Sequence, residues 1–191
     1  MSFTLHTPEE GAELIRDTDR LGVPLGPGQP VGLLHALGKR ERFDDLVVFG
    51  ALLVDLYELF TRPGVRLLSG FYGPAERFLL DSGADIQFVP SDFRRFTPIL
   101  ERMAPRVLAS AVSAPDEDGW MSLSVHAGAS IAEMNRAIAD PERVVIAEVV
   151  SDAPRTLGLP PEYPHRIHYD QADLVIQGDR PMFVLPDAVA T

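Results

Sequence analysis

The stretch Ala111–Gly128 reads A-V-S-A-P-D-E-D-G-W-M-S-L-S-V-H-A-G. Two apolar runs flank a hard turn: Arg106–Val112 leads in, Trp120–Val125 leads out, and Pro115, Asp116, Glu117, Asp118 and Gly119 stand between them. Asp-Gly between apolar runs predicts a hairpin, because glycine takes the positive φ that a tight turn needs. Ser122 and Ser124 alternate with Leu123 and Val125, which on a strand puts both hydroxyls on one face. A second stretch, Val144–Gly158, reads V-V-I-A-E-V-V-S-D-A-P-R-T-L-G. It predicts a strand over Arg143–Val150, buried on both faces as in a parallel sheet, that breaks at a Pro-Arg-Thr turn.

Outward from these stretches, strand and helix patterns alternate. Thr7-Pro8-Glu9-Glu10 is a capping box that opens a helix to about Arg16. Arg20–Leu25 reads as a strand, Gly26-Pro27-Gly28-Gln29-Pro30 as a loop, and Val31–Leu37 as an apolar helix. That loop is either a stiff βα connection or an anion-binding turn, and Pro27 and Pro30 remove two of the N–H donors an anion would use. Leu46–Ala51, Val65–Ser69 and Ile86–Val89 read as strands, and Leu53–Phe60 as a short helix. Gly73-Pro74 opens a helix that stops at Ser82-Gly83. Another runs to Arg102 with Phe93, Phe96, Ile99 and Leu100 at helical spacing, as a core stripe. Ser130-Ile131-Ala132-Glu133 has the form of a second capping box. Leu159–Pro164 reads as a rigid extended connection, followed by strands Ile167–Tyr169 and Leu174–Gln177. This alternation predicts an α/β fold with a mainly parallel sheet and one antiparallel hairpin. Residues 1–180 read as a single domain and 181–191 as a linker or tail. In such sheets ligands sit at the carboxyl ends of strands, so the loops after residues 25, 112 and 150 are the candidate site.

The two stretches S-A-P-D-E-D-G-W-M-S-L-S and I-A-E-V-x-x-x-x-P-R-T-L-G, at this separation, resemble the N-terminal domain of the acetyl-CoA hydrolase/transferase family, which includes 4-hydroxybutyrate CoA-transferases. The resemblance implies a three-layer α/β/α sandwich of the NagB/RpiA/CoA-transferase-like kind. It implies coenzyme A as a substrate, an acyl-CoA and a small carboxylate as ligands, and transfer of CoA between them or to water. Family enzymes form a glutamyl-CoA intermediate on a Glu of their C-terminal domain, which also holds a Gly-rich oxyanion loop and most CoA contacts. No Glu here matches that motif, so the resemblance implies half an enzyme, with a C-terminal domain or subunit as partner and homo- or hetero-oligomers as the assembly. The chain departs from the family where Val150-Ser151-Asp152-Ala153 replaces Asn-Pro-x-Met ahead of P-R-T. The alternative is a non-catalytic module that binds CoA or a carboxylate, or that pairs with a subunit.

Composition narrows the field. With 191 residues, 46% hydrophobic and 24% charged, the chain is ordinary for a globular domain. Its formal charge of −11 disfavours nucleic acid, which needs a basic footprint. No apolar run approaches the ~20 residues that span a bilayer, and the N-terminus does not read as a signal peptide, so no membrane partner is expected and the cytoplasm is the default compartment. Zero cysteines exclude disulfides, thiolate metal sites and Cys nucleophiles.

Six residues are the candidate substrate contacts: Gly26, Gly28, Gln29, Ser122, His126 and Arg155, none of them a nucleophile. Arg155 either grips a carboxylate or phosphate bidentately or fixes the turn through a local acid such as Asp152 or Glu148. Glu148, inside an apolar strand, is either a perturbed acid or a carboxylate held by Arg or backbone N–H groups. His126 is either an edge group or a positioning group. His165 and His168 near Asp170 and Asp173 lack a metal spacing, and no metal is expected. A Ser122–His126–Asp118 triad lacks a G-x-S-x-G elbow and an orienting partner.

Overall fold

The computed structural model describes residues 3–126 and 130–183. In chain order the elements are α1 (Pro8–Glu13), β1 (Arg20–Gly22), α2 (Val31–Gly38), β2 (Leu46–Gly50), β3 (Val65–Ser69), α3 (Pro74–Asp81), β4 (Asp85–Phe88), α4 (Phe93–Met103), β5 (Val107–Val112), β6 (Trp120–Ser122), α5 (Ile131–Ile138), β7 (Val144–Val149), β8 (Gly158–Leu159), β9 (Tyr163–Pro164), β10 (Arg166–His168) and β11 (Leu174–Gln177). Among the described residues no helix is long and apolar enough to cross a membrane.

Seven strands form one sheet in the order β11-β7-β5-β1-β2-β3-β4, and every neighbouring pair is parallel. Both faces of its central part are covered, which is why β2, β5 and β7 read as unbroken runs of apolar and small residues. On β7, Ile146 faces one core while Val145, Ala147 and Val149 face the other; on β5, Val107 and Ala109 face the first while Leu108 and Val112 face the second. The first core takes Leu33, Leu34 and Leu37 of α2 and Ala12 of α1. The second takes Phe96, Leu100 and Met103 of α4 and Met134 and Ala137 of α5. Truncating any one of these wholly buried leucines to Ala would cost about 2–5 kcal/mol. The result is the expected three-layer α/β/α sandwich. The chain runs from β1 outward to β4, then crosses back through α4 to lay β5 on the other flank of β1. The β1/β5 boundary is therefore the topological switch point, where the loops at the strands' carboxyl ends diverge and leave a crevice.

Local sequence signals hold where their partners are local. Thr7 Oγ1 accepts from Glu10 N at 3.2 Å and Glu10 Oε2 accepts from Thr7 N at 2.7 Å, closing the capping box of α1. Gly119 sits at φ +87°, and Asp116 Oδ1 accepts from Asp118 N and Trp120 N, so the Asp-Gly turn is real.

Six expectations need correction. β5 and β6 do not form a hairpin ladder: β6 pairs antiparallel with β10, and the hairpin observed is β8–β9, formed where Leu159–Pro164 was expected to be extended. Ser124 lies in left-handed conformation at φ 55°, so the strand ends at Ser122 and the serine/aliphatic alternation stops with it. The helix expected over Leu53–Phe60 is a loop that closes in one 3-10 turn, Glu58–Thr61. Phe93 is exposed, while Phe96 and Leu100 are buried as expected. Neither half of the Ser130 box forms: Ser130 is itself helical (φ −103°, ψ −9°), so its hydroxyl makes no capping bond, and the Glu133 carboxylate is taken by Arg136 and Arg143, each at 2.8 Å. Of the expected tail 181–191, residues from 184 onward lie outside the described residues. Met182 N donates to Asp152 Oδ1 at 2.9 Å, so the chain is still docked on the domain there.

Candidate functional site

The carboxyl edge of the sheet is built by three braces and one cleft. The first brace is Gln29, which is buried and bonded at both ends. Its Nε2 donates to Ala51 O (2.9 Å) and Leu52 O (3.1 Å), and its Oε1 accepts from Val54 N (3.2 Å) and the Tyr57 hydroxyl (3.0 Å). Glu76, at the third position of α3, completes the hold. Oε2 accepts from Gly73 N and Oε1 from Leu53 N, both at 3.0 Å. The loop after β2 is thus pinned from two sides, although Leu52 sits at φ 52°, a strained conformation for a leucine. Gly26, opposite it, sits at φ 59°.

The second brace unites the two sequence motifs. Ser122 Oγ donates to Thr156 O (2.9 Å) and accepts from Thr156 N (2.9 Å) and Ser124 N (3.0 Å), and Thr156 Oγ1 donates to Ser124 O (2.8 Å). Arg155 reaches the same turn from its other side. Nη1 donates to Ala114 O (2.9 Å), and Nη2 to Asp116 Oδ2 (2.8 Å) and Trp120 O (3.2 Å). Backbone hydrogen bonds to the Asp116 carboxylate, chiefly from Trp120, and the Arg155 charge hold it below its ordinary range. Arg155 therefore fixes a turn, as one of its two expected roles had it, but the acid it pairs with is Asp116 in place of Asp152 or Glu148. Its ion pair with Asp116 is more than a third exposed on both sides and is worth about 0–1 kcal/mol, so the bonds to the Ala114 and Trp120 carbonyls share in fixing the turn.

The third brace is Glu148. It is buried on β7, and its Oε1 and Oε2 accept from Gly32 N and Leu33 N, each at 2.9 Å. Pro30 at the start of α2 offers no capping side chain, so Glu148 caps that helix across 116 residues of sequence. Burial raises its carboxyl to about 7, the two backbone N–H bonds oppose the rise, and nearby Asp179 adds to it.

His126 is buried against the Gly26–Gln29 turn. A Cβ on Gly28 would lie 2.4 Å from His126 Cβ and 2.8 Å from Pro24 Cβ, so only glycine fits. The His126 and His165 rings stand 5.1 Å apart. Burial, then the His165 charge, lower His126 to about 3, so it stays neutral at physiological pH. Gly26, Gly28, Gln29 and His126 thus converge at the β1 end of the switch point. Ser122 and Arg155 belong to the neighbouring brace.

The cleft lies beside this cluster, over the ends of β1 to β3. Its volume is about 650 Å³, and Gly26, Pro27, Leu52, Leu53, Val54, Asp55, Leu56, Pro74, Ala75, Phe78 and Phe183 line it. That size and apolar lining suit a small organic ligand. A second hollow of about 350 Å³ adjoins it, shares Val54, Asp55 and Phe183, and adds Arg180. Asp55 Oδ2 lies 2.9 Å from His35 Nε2 and 3.5 Å from Arg180 Nη1. Burial alone would raise the Asp55 carboxyl, but the His35 hydrogen bond, the Leu56 N–H and the Arg180 charge hold it lower than usual. Sequence reading missed Leu52, Asp55, Glu76, Phe78 and Arg180. The one local signal was Gly73-Pro74-Ala75-Glu76, whose Glu stands in capping position.

The three-layer sandwich is of the CoA-transferase-like kind that the resemblance implied, and solved structures share it. The matched proteins agree. Succinyl-CoA:cyclohexane-1-carboxylate CoA transferase of Geobacter metallireducens is 29% identical, over 92% of this chain and 39% of the relative. The 4-hydroxybutyrate coenzyme A transferase of Clostridium kluyveri is 26% identical, over 95% of this chain and 41% of the relative. Among solved structures, RipA from Yersinia pestis superposes with a TM-score of 0.81 at 26% identity, covering 98% of this chain and 45% of RipA. A 4-hydroxybutyrate CoA-transferase from Porphyromonas gingivalis shares the fold at a TM-score of 0.65 and 20% identity, over 96% of this chain and 42% of that one. No family model matches the chain. The resemblance read from the two motifs is thereby shown: the curated proteins that match nearly all of this chain are CoA transferases, and the chain spans about two fifths of their length.

Proposed function

We propose that this chain is the N-terminal domain of a CoA-transferase or acyl-CoA hydrolase. In that reading residues 1–180 form one wall of the active-site cleft in the cytoplasm, and 181–191 lead toward a C-terminal domain or subunit. That partner supplies the nucleophilic Glu and most CoA contacts. The reaction breaks the acyl–sulfur bond of one thioester and forms another on a carboxylate acceptor, or yields a free acid when water accepts, with no change of oxidation state. A carboxylate nucleophile divides one hard acyl transfer into easier steps. The observation that carries the reading is the braced cleft at the carboxyl edge of a domain that matches CoA transferases along nearly its whole length.

The candidate contacts then act by position. Gly26 and Gly28 keep the wall low, Gln29 sets the loop after β2, His126 seats the turn, and Ser122 and Arg155 lock the two motif turns together. The test is CoA exchange from succinyl-CoA onto acetate, run with this chain alone and with a separately expressed C-terminal half of a related enzyme. Silence alone with exchange in the mixture supports the reading. Turnover by the chain alone refutes the missing nucleophile. Silence in both, with no CoA binding by calorimetry, favours the non-catalytic module.

A further inference from the structure

We propose that Arg180 is the carboxylate-binding residue of this domain, and that it holds a ligand carboxylate at the rim of the cleft over β1 to β3. This rests on the CoA-transfer reading above and assigns the group that positions its carboxylate substrate.

The first support is what the arginine has left to give. A guanidinium carries five N–H donors. Arg155, for which a carboxylate grip was one of two expected roles, spends both terminal nitrogens on Ala114 O, Asp116 and Trp120 O. Arg180 makes one contact among the described residues, from Nη1 to Asp55 Oδ2 at 3.5 Å, which is long for a hydrogen bond. Its Nε and Nη2 make none there, and its side chain is 47% exposed, so one edge of the fork is open to a planar carboxylate.

The second support is place. Arg180 lines the hollow of about 350 Å³ together with Val54, Asp55 and Phe183. Those three also line the cleft of about 650 Å³, so the two spaces share a wall. Among the described residues that line either space, Arg180 is the one cation. A ligand whose hydrocarbon part covers Val54 and Phe183 has the guanidinium beside its polar end.

The third support is how the arginine is held. Two residues before it, Gly178 N donates to Val149 O at 2.8 Å, and two residues after it, Met182 N donates to Asp152 Oδ1 at 2.9 Å. The backbone is tied on both sides while the side chain is half exposed, which sets the place of the charge before a ligand arrives. The nearby acids have other partners. Asp55 Oδ2 lies 2.9 Å from His35 Nε2, and Asp55 Oδ1 accepts from Leu56 N at 2.7 Å. Asp179 Oδ1 faces the start of α2, 3.2 Å from where a Cβ on Gly32 would lie. Asp55 thus orients Arg180 without saturating it.

The experiment titrates the isotope-labelled chain with butyrate and with butyramide, its neutral isostere, following the Arg180 Nε–H signal and the amides of Val54 and Asp55. Saturable shifts with butyrate are expected, and butyramide should bind about 10-fold more weakly. Arg180→Gln should keep the thermal midpoint, bind butyramide as the wild type does, and lose the preference for butyrate. Arg180→Lys, which keeps the charge without the fork, should fall between the two. Asp55→Asn removes a like charge beside the ligand and should tighten butyrate several-fold. A guanidinium that served only to pair with Asp55 would leave the ratio of butyrate to butyramide affinity unchanged in all three variants. That result would overturn the proposal. So would butyrate shifts that avoid Arg180, or inorganic phosphate that binds there more tightly than butyrate.

The reconstituted exchange then separates two sources of the carboxylate. A rise in KM in Arg180→Gln for butyrate and succinate alike means that the residue holds the reacting carboxylate. A rise for succinate alone means that it holds a second, unreactive one. An unchanged KM for both overturns the proposal. If no acid is exchanged while the butyrate preference and its loss in Arg180→Gln stand, the transfer reading falls and the carboxylate site survives it. If exchange proceeds and Arg180→Gln keeps the preference, the site falls and the transfer reading stands.

Discussion

Replacing Glu148 by glutamine should flatten part of the pH dependence of stability, and the size of that change follows from the site. The carboxyl is buried on β7 and titrates at about 7, against 4.5 for an ordinary glutamate. A folded-state value above the unfolded one means that stability is fully present below 4.5 and is lost as pH rises toward 7. The full difference is worth about 3 kcal/mol, of which about 2.5 kcal/mol falls between pH 5 and pH 8. In Glu148→Gln the side-chain carbonyl would still accept from one of the two N–H groups of Gly32 and Leu33, but the amide nitrogen would face the other, a cost independent of pH. The quantity to measure is therefore the gap between wild type and variant, by urea unfolding at pH 5, 6, 7 and 8. Every other titrating group is common to both chains and cancels. The variant should gain on wild type by about 2.5 kcal/mol across that range, or about 5–10 °C in thermal midpoint. A gap that stays constant with pH would refute the reasoning, because Glu148 would then be ionised throughout and held by its N–H bonds against the cost of burial.

Gln29→Ala should cost about 2–4 kcal/mol in urea unfolding, because Val54 N, the Tyr57 hydroxyl and two carbonyls lose their partner in a buried place. Gly28→Ala should destabilise by more than about 2 kcal/mol, since its Cβ would meet two Cβ atoms that cannot swing away. Gly26→Ala has room, with the nearest atom at 3.6 Å, and should cost only about 1–2 kcal/mol for its left-handed backbone; equal melting of the two variants would count against the close packing of His126 on Gly28. The His126 ring, lowered to about 3, should show no NMR titration between pH 5 and 8. Its depressed value means that the stability it contributes is present above the ordinary histidine range and is lost as pH falls from about 6.5 toward 3. A ring that titrated near 6.5 would contradict its burial.

What the sequence made legible was what neighbouring residues decide. Leu46–Gly50 falls inside the strand expected for Leu46–Ala51, and Val144–Val149 inside the one expected for Arg143–Val150, because a strand covered on both faces writes itself as an apolar run. The Thr7 capping box closed because both halves of it lie within one turn. The Ser130 box had the same spelling and failed, since Ser130 itself is helical and Arg143, ten residues past Glu133, reached that carboxylate. The β5–β6 turn was correct and its ladder was not, because β6 found its partner in β10, more than forty residues on. Glu148 stood out as a carboxylate in an apolar run, but its partners on α2 were invisible from β7. The site divided in the same way. Gly28, Gln29, Ser122, His126 and Arg155 were named from motif and loop position. Asp55, Glu76 and Arg180 matter only through contacts the fold creates.

The role of Glu148 bears on where a ligand can sit. A glycine loop followed by a helix N-terminus is an anion site by default, and α2 begins in that way after Gly26-Pro27-Gly28. Here those donors are already taken: the Glu148 carboxyl accepts from the N–H groups of Gly32 and Leu33. An incoming phosphate or carboxylate would have to displace a buried side chain and leave it unpaired, at a cost of several kcal/mol. The open ground at the carboxyl edge is instead the cleft lined by Leu52, Val54, Leu56 and Phe78, next to the Asp55–Arg180 pair. The capping that secures α2 thus disfavours this helix end as a polar headgroup site and leaves the domain an apolar wall to offer.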